Sequence, residues 1–372
     1  MKPSICLVMI VKDESDVILR CLRSVSNFIS YWVIVDTGSS DGTQDIIRTY
    51  MSSAGVPGEL HERAWVNFCH NRNESIQLAS GKSDYMLIID ADDYLEVANE
   101  EAFSSLTSDA YQMDLALDGL EYRRLQILKS GYDWKYEGVL HEYIKVPQIE
   151  EYNEGLIAGV VMIANVSAPS GDAKYLEDAR ILKQAMDEEG VTDDLRRRYM
   201  FYYAQSLMWG NELRAAIHWF EERAKIGGWP EEIYVSLWFA AKLKWQLNDS
   251  EDSVINSYLK AWEARPNRHE AVYELLKILY DAERWHLGFT IARSCINAKG
   301  SNDTLFVNRQ IRDWGIYNLY AQYAFKCGHL TEAMGVTERL INSSVFASIP
   351  SDEQSKIVNN LEVYEMSLIS SY

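Results

Sequence analysis

Tyr85-Met86-Leu87-Ile88-Ile89-Asp90-Ala91-Asp92-Asp93 is the stretch on which the reading of this chain turns. An unbroken apolar run of this length reads as a buried strand, and the carboxylates that follow stand at its carboxyl end, where open α/β sheets bind ligands. Carboxylates packed so closely repel one another. A hard divalent cation bridging to a phosphate-bearing ligand relieves that repulsion, which makes Asp90 and Asp92 a candidate metal and nucleotide pair. An EF-hand is disfavoured, because the loop lacks the glycine and the distal glutamate at the required spacing. Acidic triplets are also common on solvated loops; the strand in front of this one favours the ligand reading.

Working outward, residues 4 to 89 alternate apolar runs with helical periodicity, the pattern of βαβ units around a parallel sheet. The expected strands are 4–11, 31–36, 57–63 and 84–89, with helices near 15–28, 41–53 and 70–80. Beyond Leu95 a short helix near 98–107 precedes strand-like segments at 111–117, 121–128, 139–146 and 155–163, punctuated by Gly119, Gly131, Gly138 and Gly155. The character changes again near 168–172, to almost unbroken helical periodicity. The expected domains are therefore 1–168, α/β, and 172–372, all-α.

In the second part, Ala204 and Ala216 are twelve residues apart, as are Ala321 and Ala333. Small residues at that spacing let paired helices approach, as in tetratricopeptide repeats. Asn211, Asn248-Asp249, Glu283 and Gly328 fall at turns, and Arg265-Pro266 stops a helix. The expectation is four helix pairs starting near 195, 231, 267 and 311, with a closing helix at 352–369. The aromatic stripe that includes Tyr199, Tyr202, Trp219 and Trp238 recurs at helical spacing and reads mostly as inter-helix core.

With 372 residues, 47% of them hydrophobic, both parts can bury a core. A net charge of −19 disfavours nucleic acid or an anionic membrane as main partner. The five cysteines are scattered and never in a CxxC pair, which indicates neither a disulfide framework nor a zinc knuckle and points to a reducing cytoplasm. No window approaches the roughly 20 apolar residues of a membrane span.

Val33-Ile34-Val35-Asp36-Thr37-Gly38-Ser39-Ser40-Asp41-Gly42-Thr43 ends the second strand in an acidic, glycine- and serine-rich turn. A carboxylate here can accept from a base N–H or a sugar hydroxyl. The lysine and spacing of a phosphate-cradling P-loop are missing. Asp41, and less readily Asp36, could instead cap the next helix.

These segments together resemble family 2 glycosyltransferases of the GT-A fold. The residues Leu7 to Glu14 look like their first strand and its exit, Val35 to Thr43 like their DDGSxDGT turn, Asn71-Arg72-Asn73-Glu74 like their RNxA helix, and Asp90 to Asp92 like their DxD metal motif. Order and spacing agree over about the first 95 residues. The resemblance implies an inverting, metal-dependent transferase in which Asp36 touches the nucleotide base, Arg72 the ribose or phosphates, Asp90 the donor sugar or ribose, and Asp92 a divalent cation, Mn²⁺ or Mg²⁺. Thr37 stands where many members carry a second aspartate, which leaves the base, usually uracil in a UDP-sugar, less firmly implied.

Trp134-Lys135-Tyr136-Glu137-Gly138-Val139-Leu140-His141-Glu142 resembles a W-x-G-x-V-H-E segment of a subgroup of these transferases that includes lipopolysaccharide-core and tetratricopeptide-bearing members. That likeness makes His141 a candidate third metal ligand and Glu142 the candidate general base, with Glu137, Asp118 and Asp133 as alternatives. For Glu142 the rival role is to orient His141. The helical part resembles the extensions of transferases acting on glycans or on peptide side chains, so the implied partners are a nucleotide sugar and a glycan or peptide/protein acceptor, and the helical part could also support a homodimer. Two rival readings are an idle repeat scaffold with a vestigial GT-A part, and a sugar nucleotidyltransferase. The latter would carry a glycine-rich basic loop where Lys12-Asp13-Glu14-Ser15 stands.

Overall fold

The computed structural model describes residues 2–117, 120–146, 151–164, 171–298 and 300–370. It divides into two compact units, Met1–Tyr202 and Tyr203–Tyr372. Most of the domain boundary expected near 168–172 falls outside the described residues, and the helices at 172–187 and 193–202 are grouped with the first unit.

The first unit begins with β1 (Ile5–Val11), α1 (Ile18–Val25), β2 (Tyr31–Asp36), α2 (Thr43–Ala54), β3 (Gly58–Glu62), α3 (Phe68–Ala79) and β4 (Tyr85–Ile88). β1, β2, β3 and β4 are joined in parallel in the order 3-2-1-4, the doubly wound start expected from the alternating pattern. β1 is buried on both sides, which explains its unbroken apolar run. Ile5, Leu7 and Met9 share one core cluster with Ile18, Leu22, Ile47 and Met51 of α1 and α2, whereas Cys6 and Val8 share the other with Ile76 and Ala79 of α3.

The sheet then continues through β5 (Tyr94–Val97), β6 (Ala110–Leu117), β7 (Leu120–Lys129) and, later, β10 (Glu154–Ile163). The full order is β3-β2-β1-β4-β7-β6-β10-β5, with β7 antiparallel to β4 and β5 antiparallel to β10. The short helix expected at 98–107 is a single 3-10 turn over Glu100–Ser104, and the strand β5 before it was not anticipated.

The strand expected at 139–146 is reduced to its last part, Tyr143–Lys145. There β8 (Lys135–Glu137) and β9 (Tyr143–Lys145) make a separate two-stranded ribbon, with residues 138–142 as its loop. The physical reason is local: Gly138 has φ +114° and His141 φ +52°, values that break an extended strand.

Helices α4 (Asp172–Asp187) and α5 (Asp193–Trp209) follow. The remaining helices are α6 (Leu213–Lys225), α7 (Pro230–Gln246), α8 (Glu251–Ala264), α9 (Glu270–Asp281), α10 (Trp285–Ile296), α11 (Ile316–Lys326), α12 (Leu330–Ile341) and α13 (Ser351–Ile369). The helix pairs open at 193, 230, 270 and 316, close to the expected 195, 231, 267 and 311, and α13 is the closing helix. Ala204, Ala216, Ala321 and Ala333 are all buried, as close helix approach requires. Asn211, Asn248, Glu283 and Gly328 all have positive φ, the left-handed step that turns the chain at a helix end. Among the described residues, no helix is long and apolar enough to cross a membrane.

Candidate active site

The carboxyl ends of β1, β2 and β4 lie side by side, and the turns leaving them are laced together. Asp13 Oδ1 accepts from Ser40 N (2.7 Å), Asp41 Oδ2 from Ser15 N (2.9 Å), and Thr43 Oγ1 from Glu14 N (2.8 Å). Asp41 also accepts from Thr43 through both N and Oγ1, and these bonds hold its carboxyl well below the usual range. Asp41 thus ties the turn to the start of α2. Thr37 is buried, with its hydroxyl turned back to donate to Val11 O at 3.0 Å, so it does not stand in for a second acidic group.

Asp36 is different. Its Oδ1 accepts from Gly38 N and Ser39 N, both at 2.8 Å, which Gly38 permits by adopting φ +111°. Its Oδ2 is buried without a hydrogen-bond partner. Buried acceptors are nearly always paired, so an orphan of this kind marks a place where a donor is missing.

Arg72 sits on the buried face of α3. Its Nη2 donates to Asp90 Oδ1 at 2.6 Å, and its Nε lies 2.7 Å from Glu142 Oε1 as an ion pair rather than an aligned hydrogen bond. The guanidinium stands 5.4 Å from the Tyr136 ring and 6.0 Å from that of Phe68. Burial alone would raise Asp90, but the charges of Arg72 and Arg124 and the hydrogen bond from Arg72 outweigh it and hold this carboxyl below its ordinary value. Arg72, though buried, is kept protonated by Asp90, Tyr136 and Glu142. One side chain therefore joins the loop after β4 to the ribbon loop.

The neighbours of Arg72 build the frame around it. Asn71 Oδ1 accepts from Val66 N (3.0 Å) and its Nδ2 donates to Ala64 O (3.1 Å), fixing the loop into α3. Asn73 accepts from Tyr136 N (2.7 Å) and donates to Tyr136 O (3.0 Å), clamping β8 along the helix. Sequence reasoning read this motif for Arg72 alone, although a run of Asn-Arg-Asn on a helix, where asparagine is a poor helix former, was a signal that the amides serve the backbone of other segments.

The loop after β4 is held by Arg20, whose Nη2 donates to Asp92 O at 2.9 Å, and by Cys21 Sγ, which donates to Asp90 O at 3.5 Å. Glu14, at the exit of β1, was read only as the end of a strand. Burial first, then Asp92, Asp90, Asp41 and Asp13, push its carboxyl up to about 6, which identifies this edge as crowded with negative charge.

His141 and Glu142 separate in role. Glu142 turns to Arg72, while the His141 ring lies flat on Tyr202, centroids 3.9 Å apart at 7°. His141 is exposed as a residue, yet desolvation by its surroundings first, then Arg198 and Arg124, push the imidazole down to about 4, so it is neutral at physiological pH. Among the described residues, no group of three or more His, Cys, Asp or Glu stands close enough to hold a metal ion. Of the alternative bases, Glu137 pairs with Lys145 (2.7 Å), Asp133 pairs with Lys135 (2.8 Å), and Asp118 lies outside the described residues.

A cleft of about 580 Å³ opens between the outward side of α3 with its cap (Asn67, His70, Gln77), Gly138-Val139 of the ribbon loop, and Tyr199, and its lining includes none of Asp36, Arg72, Asp90 and Glu142. Trp65 and Phe68, both exposed and packed edge to face with centroids 4.8 Å apart, lie in the segment leading into and opening α3.

Residues 6–99 match the model of the family described as glycosyl transferase family 2. The "TPR repeat-containing protein Synpcc7942_0270" of Synechococcus elongatus is 32% identical over 152 residues, which is 38% of this chain and 35% of that protein. The "SPbeta prophage-derived glycosyltransferase SunS" of Bacillus subtilis is 28% identical over 140 residues, 37% of this chain and 29% of that protein. The matched region thus spans about a third of each relative's length. Among solved structures, the mannosyltransferase PcManGT of Pyrobaculum calidifontis, in complex with GDP-Man and Mn²⁺, superposes with a TM-score of 0.38 at 13% identity, covering 71% of this chain and 88% of that one. The N-terminal part carries a family 2 glycosyltransferase domain, and helical repeats follow it.

Proposed function

We propose that the protein is an inverting glycosyltransferase that takes a sugar from a nucleoside-diphosphate donor, a UDP-sugar by resemblance, and passes it to a glycan or a peptide side chain. The observation that supports this best is the buried Arg72 at the carboxyl ends of the parallel strands, between Asp90 and Glu142, beside a β2 turn whose Asp36 keeps one oxygen unpartnered. The working domains are 1–168 for transfer and 172–372 for acceptor selection, in a reducing cytoplasm that suits five free cysteines.

In this reading Asp36 Oδ2 accepts from a base N–H, and Arg72 meets the diphosphate or ribose through its guanidinium fork. Asp90 faces the ribose or the sugar. Glu142 is the base that takes the acceptor's proton as the glycosidic bond forms on the opposite face of the sugar. When the donor's phosphates draw on Arg72, its hold on Glu142 loosens, so donor binding would prepare the base.

The acidic crowding that raises Glu14 suits a divalent cation, one that would take further ligands from a diphosphate and water. Asp92 would hold such an ion, with the neutral His141 as the third ligand that the resemblance implies. Bound there, the cation would offset charge on the leaving diphosphate.

A thermal-shift panel of nucleoside diphosphates and nucleotide sugars, with and without Mn²⁺, tests the reading. A ligand at 100 times its Kd adds about 2.7 kcal/mol to the folded state. The expected result is a shift with one nucleotide that is lost in Asp36→Asn and Arg72→Ala. No shift with any nucleotide would overturn the transferase reading and leave a repeat scaffold in its place.

A further inference from the structure

The loop at 138–142 carries two left-handed backbone positions, Gly138 at φ +114° and His141 at φ +52°. Glycine adopts such angles freely, whereas a histidine does so at a cost that its surroundings must offset. The surroundings come from one side of α5. Arg198 Nε donates to His141 O at 2.8 Å, and its guanidinium stands 4.9 Å from the Tyr202 ring and 5.1 Å from the Tyr143 ring. Tyr202 covers the His141 ring face to face, and Tyr199 OH accepts from Val139 N at 3.3 Å. Residues 198, 199 and 202 lie within about one helical turn, so a single helix surface grips the loop through its backbone, its aromatic ring and the strand that leaves it.

Glu142 follows His141 directly, and its carboxylate reaches Arg72 from the far end of this grip. A methyl group at Gly138 would stand 3.3 Å from Glu142 Cα, so the two ends of the loop are packed closely against each other. We infer that Arg198 and Tyr202 are positioning residues: they hold the ribbon loop in the one conformation that delivers Glu142 to Arg72. The inference rests on the reading above, in which Arg72 and Glu142 serve donor and acceptor. Neither Arg198 nor Tyr202 is assigned contact with substrate.

The full-length protein and three variants, Tyr202→Ala, Arg198→Ala and Tyr202→Phe, test it by amide hydrogen exchange, with nucleotide-sugar hydrolysis as the second readout. Tyr202→Ala and Arg198→Ala should speed exchange of the amides of residues 138–143 at least tenfold, leave β1 and β4 unchanged, and lower kcat with KM for the nucleotide sugar within about twofold. Tyr202→Phe keeps the ring stack and should restore both readouts. Unchanged exchange over 138–143 in both alanine variants would overturn the inference, as would failure of the phenylalanine variant to restore the loop. A wild-type protein that binds no nucleotide would sink the transferase reading instead, and the exchange data would still decide the grip.

Discussion

Arg72 in the sheet-containing unit and Arg268 in the helical unit use the same chemistry to different ends. Arg268 is 1% exposed and closes on Glu270 (3%) and Asp303 (4%), with its remaining N–H groups on Leu305 O and Phe306 O and its face over Tyr234. Glu270 is in turn closed by Tyr234 OH and Asn308 N. Arg72 is 11% exposed and pairs with Glu142 (9%) and Asp90, which keeps 31% of its surface. A network whose members all find partners fixes a structure. One whose Asp90 stays partly exposed at a strand end, with an Asp36 oxygen unpartnered at the end of β2, is the kind that a ligand would complete.

The comparison breaks first at Arg268. Arg268→Ala leaves buried Glu270 without its cation, while Asp303 keeps Arg265, and losing one partner of a buried pair costs about 3–5 kcal/mol. Calorimetry should show the helical transition moved to markedly lower temperature; an unchanged transition would mean that the network is not closed. Arg72→Ala should be gentler on the fold, because Asp90 can rehydrate, and harsher on ligand. Charge-assisted hydrogen bonds are worth about 1.5–3 kcal/mol, so nucleotide affinity should fall about 10–150-fold.

Asn73→Ala sharpens the sheet side. Tyr136 N loses its partner and Tyr136 O keeps only the weak donor Cys69 Sγ, at about 1–3 kcal/mol when such groups stay buried, and exchange at Tyr136 N should rise while that of β1 stays slow. The smallest effect is expected at Glu14. Its folded carboxyl is raised to about 6, so the folded state prefers the protonated form, and the stability this gives is present below the unfolded value near 4.5 and lost as pH rises through 6. Glu14→Gln should therefore raise Tm more at pH 7.5 than at pH 5. An equal gain at both would place the repulsion elsewhere.

The two regions also differed in how far the sequence reached. Asp36 and Asp90 adjoin continuous apolar strands, so their place at one sheet edge followed from pattern alone. The repeats were legible because left-handed turns at Asn211, Asn248 and Gly328 use residues that tolerate positive φ. The ribbon was not: a run with Val139, Leu140 and Tyr143 looks like a strand, and only the backbone at Gly138 and His141 shows that it must turn. The pairing of Glu142 with Arg72 spans seventy residues, and the grip of Arg198 on His141 spans 57, distances at which periodicity carries no information.

The most direct test of the central claim, that the open arginine marks a nucleotide site, is a calorimetric titration of nucleoside diphosphates into the wild type and Arg72→Ala, each first shown to be folded. Saturable binding of one nucleotide to the wild type, weakened at least tenfold by the substitution, is the expected result. Equal affinity in both proteins, or no binding to the wild type with or without Mn²⁺, would contradict it.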